Sequence, residues 1–301
     1  MNRVFLKSCP LCGSAQLERT LTCVDHTASG EAFHLYRCRD CGLLFTQDFP
    51  AEAEIGRYYE TPDYISHSDT RHGVVNTVYH WVRAYMLGRK ARLVMREAHR
   101  TTGRLLDIGT GTGYFAHAMA GRGWQVRAVE KNAGARVFAK EHFGLDVLPD
   151  HVLPTLTDGG FDVITLWHVL EHLEHLDETW EQLRRLLDAK GVLIVAVPNC
   201  SSFDARKYGP HWAAYDVPRH LWHFTPDTIQ RFGAKHGFIL AGRHPMPFDA
   251  FYVSMLTERY MHHRLPFLRG LLTGVLAWFS ALAKKERSSS MIYVFRKKKE
   301  S

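Results

Sequence analysis

Two absences come first in this 301-residue chain. Its opening decapeptide, MNRVFLKSCP, holds no apolar core of the length a secretory signal needs. The expectation is a cytoplasmic protein whose cysteines stay reduced. Toward the other end, LPFLRGLLTGVLAWFSALAKKER is broken by Arg269, and the uncharged run 270–283 falls short of the roughly 20 residues that span a bilayer. Excess acid is also absent: the formal charge is +7, with 19 histidines and a basic tail from Arg296 to Lys299. Such a balance fits a solvated surface and leaves nucleic acid or an anionic lipid surface open. With 46% hydrophobic residues, the chain has enough apolar material for one main domain and something smaller.

Cysteine is scarce, six in all, yet four fall into two CxxC pairs, Cys9 and Cys12, then Cys38 and Cys41. Each pair sets two thiolates on one side of a tight turn, with Gly13 or Gly42 just after the second sulfur. Two such knuckles complete a tetrahedron for structural Zn2+, with disulfides as the competing reading. Cys23 and Cys200 lie outside the pattern and suit small core positions. The knuckles offer few basic or aromatic residues beyond Tyr36, Arg37 and Arg39, so residues 1–48 read as a structural cap more than as an RNA grip.

The chain is organised around GRLLDIGTGTGYFAHAMAGRGWQVRAVEK, residues 103–131. Leu105, Leu106 and Ile108 form a short apolar strand, after which Gly109, Gly111 and Gly113 let the backbone approach a ligand closely. A helix over Tyr114–Ala120 follows, then a strand ending at Val129 and an acid, Glu130, placed to receive ribose hydroxyls. The glycines are spaced GxGxG, not the GxGxxG of dinucleotide sites, and Asp107 at the strand end would repel a diphosphate. An NAD-dependent oxidoreductase is therefore the lesser alternative.

This segment resembles motif I of the class I S-adenosylmethionine-dependent methyltransferases. By that resemblance, the fold is a doubly wound, mostly parallel seven-stranded Rossmann-like sheet, and the cofactor is S-adenosyl-L-methionine. Its methionine portion falls to Asp107, Gly109, Gly111 and Gly113 and its ribose to Glu130, with Lys131 beside it. Alternating strands and helices continue: a helix over 133–143, strands over 146–148, 161–166 and 192–197, and a helix over 177–187. Asp150, after the third strand, suits the adenine amino group or a solvated loop. Trp167 and His168 lie at the carboxyl edge, and His168-x-x-Glu171-His172 resembles a methyltransferase edge motif while also inviting a metal reading. Leu166-Trp167-His168-Val169 replaces the Asn/Asp-Pro-Pro-Tyr of nucleobase methyltransferases, which disfavours RNA as acceptor.

Residues 49–100 read as a linker and helical arm, in which Tyr58, Tyr59 and Tyr64 suit either cation–π contact with a sulfonium or a domain interface. The helix over 74–99 docks on the sheet. Within 101–301, Thr225-Pro226 starts a helix, and 237–240 with 291–296 form a closing antiparallel pair around a helical insertion at about 250–288. Zinc-ribbon sugar C-methyltransferases and ubiquinone-biosynthesis-type methyltransferases are the nearest resemblance, but Arg219-His220 replaces the Glu-His that deprotonates carbon in the former. A small-molecule, sugar or lipid-linked acceptor methylated at oxygen is expected. His220, His223 or His172 would be the base, and an anionic acceptor could be held by Arg219. The apolar segment 265–287, ending in Lys284, Lys285 and Arg287, suits peripheral contact with the inner face of a membrane.

Overall fold

The computed structural model describes residues 3–59, 74–246 and 248–299, with the backbone alone over 74–81. The chain opens with β1 (Arg3–Val4), β2 (Leu17–Val24), β3 (Ala32–Cys38), β4 (Leu44–Gln47) and β5 (Phe49–Pro50). Strands β2, β3 and β4 form an antiparallel meander, and β1 pairs with β5. At each knuckle the amide just after the second cysteine closes the loop: Gly13 donates to the Cys9 carbonyl and Gly42 to the Cys38 carbonyl. The repeated geometry brings four sulfurs within 4.8 Å of one another.

After α1 (Glu52–Ile55) and the long α2 (Val74–Ala98), the alternation expected from the sequence appears. It runs β6 (Arg104–Ile108), α3 (Tyr114–Ala120), β7 (Gln125–Val129), α4 (Ala133–Phe143), β8 (Val147–Leu148), β9 (Phe161–Trp167), α5 (Leu176–Leu186) and β10 (Leu187–Pro198). Next come α6 (Phe203–Tyr208), β11 (Trp222–His223), α7 (Pro226–Lys235), β12 (Phe238–Met246), α8 (Asp249–Tyr260), α9 (Pro266–Ala283) and β13 (Ser290–Lys297). One seven-stranded sheet has the order β12-β13-β10-β9-β6-β7-β8. Its five strands from β10 to β8 are parallel, and β13 inserts antiparallel between β10 and β12.

Residues explain these elements directly. The run Val192–Val197 is buried throughout, as a strand covered on both faces requires. Helix α5 places Leu176, Trp180, Leu183 and Leu186 on one buried stripe at helical spacing. Thr225 caps α7 by a reciprocal box with Thr228, and Pro226 sits where no amide is needed. Helix α2 inserts Ala91 and Val94 against Leu105, Phe115 and Val163. One hydrophobic cluster runs from Cys9, Leu43 and Phe45 through Leu166 and Trp180 to Phe232 and Phe295, so the N-terminal sheet and the large sheet share a core.

Candidate active site

The carboxyl edge of β6, β7 and β9 gathers the residues singled out by sequence. Gly109 has φ 67°, and a Cβ there would come within 2.4 Å of Val169 Cγ2. Gly111 has φ 57° and would meet nothing within 4 Å, so its face is open to a ligand. The Gly111 amide donates to Glu130 Oε2 at 2.8 Å, which draws the glycine loop toward the end of β7. The other oxygen, Oε1, accepts from the Asn132 amide at 2.9 Å. Gly113, at φ 84°, leads into α3.

Asp107 is buried, and its two oxygens accept from Thr110 and Thr165 hydroxyls, each at 2.6 Å. Burial pushes its carboxyl up to about 6, against the pull of those two hydrogen bonds. Asp107 thus fixes the loop from inside. Lys131 pairs with Glu52 of α1 at 2.9 Å. Asp150 opens a 3-10 turn and accepts from the His151 amide at 3.1 Å. Tyr64 lies outside the described residues.

A second group forms just beyond β9. His168 adopts left-handed backbone, φ 58°, and its amide donates to the Ala196 carbonyl. Its ring lies 3.5 Å from Glu171 Oε1 and 3.3 Å from Asp249 Oδ2 at the start of α8. Burial alone would lower the His168 pKa; the two carboxylates outweigh it and raise it to about 9. Glu171 is fully buried, and neither of its oxygens makes a conventional hydrogen bond. Lys90 reaches in from α2 over the Trp167 ring, 4.4 Å from its centroid. Burial pulls the Lys90 ammonium down, opposed by Asp249 and Asp107.

The structure brings His172 and His220 together, with ring centroids 4.5 Å apart in a T-shape. His172 Nδ1 lies 3.0 Å from the Arg219 carbonyl and His220 Nδ1 lies 2.9 Å from the Ala214 carbonyl. A carbonyl can only accept, so each Nδ1 carries a proton, and in a neutral ring the lone pair then falls on Nε2. Burial, then His220, pulls the His172 pKa down to about 4. Ligand atoms from Glu171, His172 and His220 lie within 4.8 Å of one another, the spacing a divalent cation would accept.

His223 stands apart from this pair, on β11. Its Nε2 meets Thr46 Oγ1 at 3.0 Å, its ring packs edge-on against Tyr215, and burial holds its pKa far below the usual imidazole range. Strand β11 extends the N-terminal sheet by pairing with β4. Thr46 also donates to the His220 carbonyl at 2.7 Å. The loop carrying the histidines is therefore built on the cysteine-bearing module.

Arg219 anchors the same junction, and here the expectation of an anionic acceptor is corrected. Its guanidinium is buried and donates to Asp216, to Asp25 Oδ1 at 3.1 Å and to the Tyr58 carbonyl at 3.0 Å. Sequence reading missed Lys90, Asp249, Thr46 and Asp25. No local motif marks them, because each acts across a long sequence separation.

An acid-tipped first strand, a GxGxG turn and a second acid drawn to that turn, on a sheet with an antiparallel strand next to its edge, define a class I S-adenosylmethionine-dependent methyltransferase. The chain belongs to the methyltransferase domain family, whose profile matches residues 80–241, just over half of its length. It is 32% identical over 142 residues to a ubiquinone biosynthesis O-methyltransferase of Caulobacter sp. (strain K31), 43% of this chain and 56% of that protein. Against a malonyl-[acyl-carrier protein] O-methyltransferase of Geobacter sulfurreducens the figures are 28% over 148 residues, 45% and 55%. The chain thus spans about half the length of these relatives. In fold it is similar to Burkholderia thailandensis 1,6-didemethyltoxoflavin-N1-methyltransferase, with TM-score 0.51, 13% identity, and 87% of this chain and 98% of that one covered. A phosphoethanolamine N-methyltransferase 2 of Haemonchus contortus gives TM-score 0.50 at 18% identity, covering 85% and 63%.

Proposed function

We propose that the protein methylates a hydroxyl or phenol on an apolar or lipid-linked small molecule, with Gly109, Gly111 and Glu130 holding S-adenosylmethionine. The observation that supports the oxygen assignment is the His172–His220 pair, whose rings meet 4.5 Å apart just beyond β9, on a loop that carries Arg219-His220 in place of the Glu-His that would deprotonate carbon. The names of the two curated relatives also specify oxygen acceptors. Bound S-adenosylmethionine would supply the methyl group to the acceptor oxygen, its sulfonium–methyl bond breaking with the electron pair left on sulfur, and His220 Nε2 would take the hydroxyl proton. Most of the rate comes from aligning the two reactants. His220 is favoured over His172 and His223, which hold their protons too weakly to draw one from a hydroxyl.

The four cysteines fit zinc. Cys9 and Cys41 sulfurs are 3.4 Å apart and Cys12 and Cys38 sulfurs 3.5 Å, close to the edge of a tetrahedron with bonds of about 2.3 Å and far longer than a disulfide. Burial pushes the Cys9 thiol up to about 11, a cost that a bound metal would remove. Bound zinc would supply a rigid junction and no step of the reaction.

Calorimetry with S-adenosylhomocysteine tests the crevice. Gly111→Leu should lose binding by at least about tenfold; neighbouring atoms leave room for the side chain but the left-handed backbone is strained by it, so circular dichroism of the variant must match that of the native protein. Unchanged affinity, or a thermal shift with NAD and none with S-adenosylhomocysteine, would remove the assignment. Incubation with methyl-labelled S-adenosylmethionine and apolar phenols, amines and RNA should yield a methyl ether; labelled amine or RNA instead would overturn the acceptor class.

A further inference from the structure

Helix α9 is built inside out. Its buried stripe, Gly270, Thr273, Gly274, Ala277 and Ala281, is made of small residues at helical spacing. Its large side chains point outward: Phe267 is 68% exposed, Leu272 58%, Phe279 58% and Leu282 64%. A core helix would show the opposite pattern. The small stripe lets α9 lie almost in contact with α8, where a Cβ on Gly270 would sit 2.4 Å from the Met255 Cα and one on Gly274 2.6 Å from the Phe251 ring. Close packing through small residues at i and i+4 leaves the opposite face as a ridge of leucine and phenylalanine.

The first half of the helix is also held to the body by polar contacts. Arg269 pairs with Glu258 of α8 at 2.8 Å, and Thr273 accepts from Lys207 of α6. At 18 residues, α9 is long and apolar enough by length and composition to cross a membrane, more than the uncharged run alone suggested. That ion pair, the Lys207 hydrogen bond and the small-residue stripe instead hold it flat against a folded domain, with one side outward.

Charge completes the surface. The carboxyl end of α9 opens onto a cleft of about 360 Å³ lined by Arg37, Arg206, Lys284 and Arg287, with Glu286 as its one acid. Lys284, Lys285 and Arg287 are exposed. An apolar ridge ending in a basic cleft matches the layering of a bilayer whose headgroups are anionic, with acyl chains against the ridge and phosphates in the cleft.

We infer that α9 and the basic cleft at its end form a docking surface for an anionic phospholipid bilayer. The enzyme lies on this surface with α9 in the headgroup layer. Asp249, at the start of α8, contacts His168, so the docked helix pair adjoins the carboxyl edge of the sheet. The docking does not depend on which acceptor is methylated, and its test needs none.

Flotation of the full chain with vesicles of phosphatidylcholine, and of phosphatidylcholine with about one-third phosphatidylglycerol, should show capture by the second kind only, weakened by salt. Replacing two cations, Lys284→Gln with Arg287→Gln, should lower that affinity about 30-fold. Leu272→Glu with Phe279→Glu should abolish capture, while the melting shift with S-adenosylhomocysteine stays intact and shows that the variant is folded. Native protein remaining unbound with both vesicles would overturn the inference. So would sedimentation velocity showing a dimer that Leu272→Glu dissociates in protein that ignores vesicles, since the ridge would then be a contact between copies.

Discussion

Each ionisable side chain at the carboxyl edge answers to its immediate neighbours. His168, between Asp249 and Glu171, is raised to about 9, while His172, a few residues on, is lowered to about 4 by burial and by His220. The two act on stability in opposite directions. A raised histidine stabilises fully below its unfolded value near 6.5, and that contribution is lost as pH climbs through about 9. A lowered one costs stability as pH falls from about 6.5 toward 4, because the unfolded chain takes up a proton that the folded chain refuses. The melting temperature should therefore peak near neutrality, and Asp249→Asn should flatten the alkaline limb alone. Equal loss on both limbs would mean that the carboxylate does not hold the charge. His220→Asn should reduce kcat by about 100-fold or more with the cofactor affinity unchanged, as expected of a proton acceptor. An equal loss with His172→Asn and none with His220→Asn would transfer the role.

Among elements, β4 and β11 matter most, because their pairing makes the loop that carries His220 and His223 part of the cysteine-bearing sheet. With zinc loaded on the four cysteines as proposed, a strong chelator should speed amide exchange at residues 219–224 as well as at the knuckles, since Thr46 and Asp25 hold that loop from the N-terminal side. Exchange confined to the knuckles would show the loop to be self-supporting. This pairing was not legible in the sequence: β11 is two residues long and carries no alternation. By contrast, α3 and α4 fall on the residues that spacing and glycine placement indicated, and α7 starts at the expected Thr225-Pro226. Helix α5 begins and ends one residue earlier than expected, and β10 starts at Leu187, ahead of its apolar run. Local patterns report buried strands and capped helices well. They are silent on partners brought in from nearly 200 residues away, as Arg219 and Asp25 are.

At the scale of the molecule, the glycine turn was readable because it is contiguous, whereas the charged group of Lys90, Asp107, His168, Glu171 and Asp249 is assembled from several elements. The expected ribbon over 1–48 contributes Cys9, Cys38, Leu43 and Phe45 to the same hydrophobic cluster as the large sheet. Residues 49–301 expressed alone should therefore lack a sharp, cooperative melting transition and should bind hydrophobic dye. A native-like transition would show the two parts to be separable.

The β4–β11 ladder also bears on how the chain comes to be folded. The cysteine sheet leaves the ribosome before β11, and its open edge finds its partner only once residues 222 and 223 have been made. During synthesis that edge must wait through more than half of the chain, and contacts of such separation are slow to form. A metal bound early to the knuckles would keep the waiting edge in shape for its late arrival.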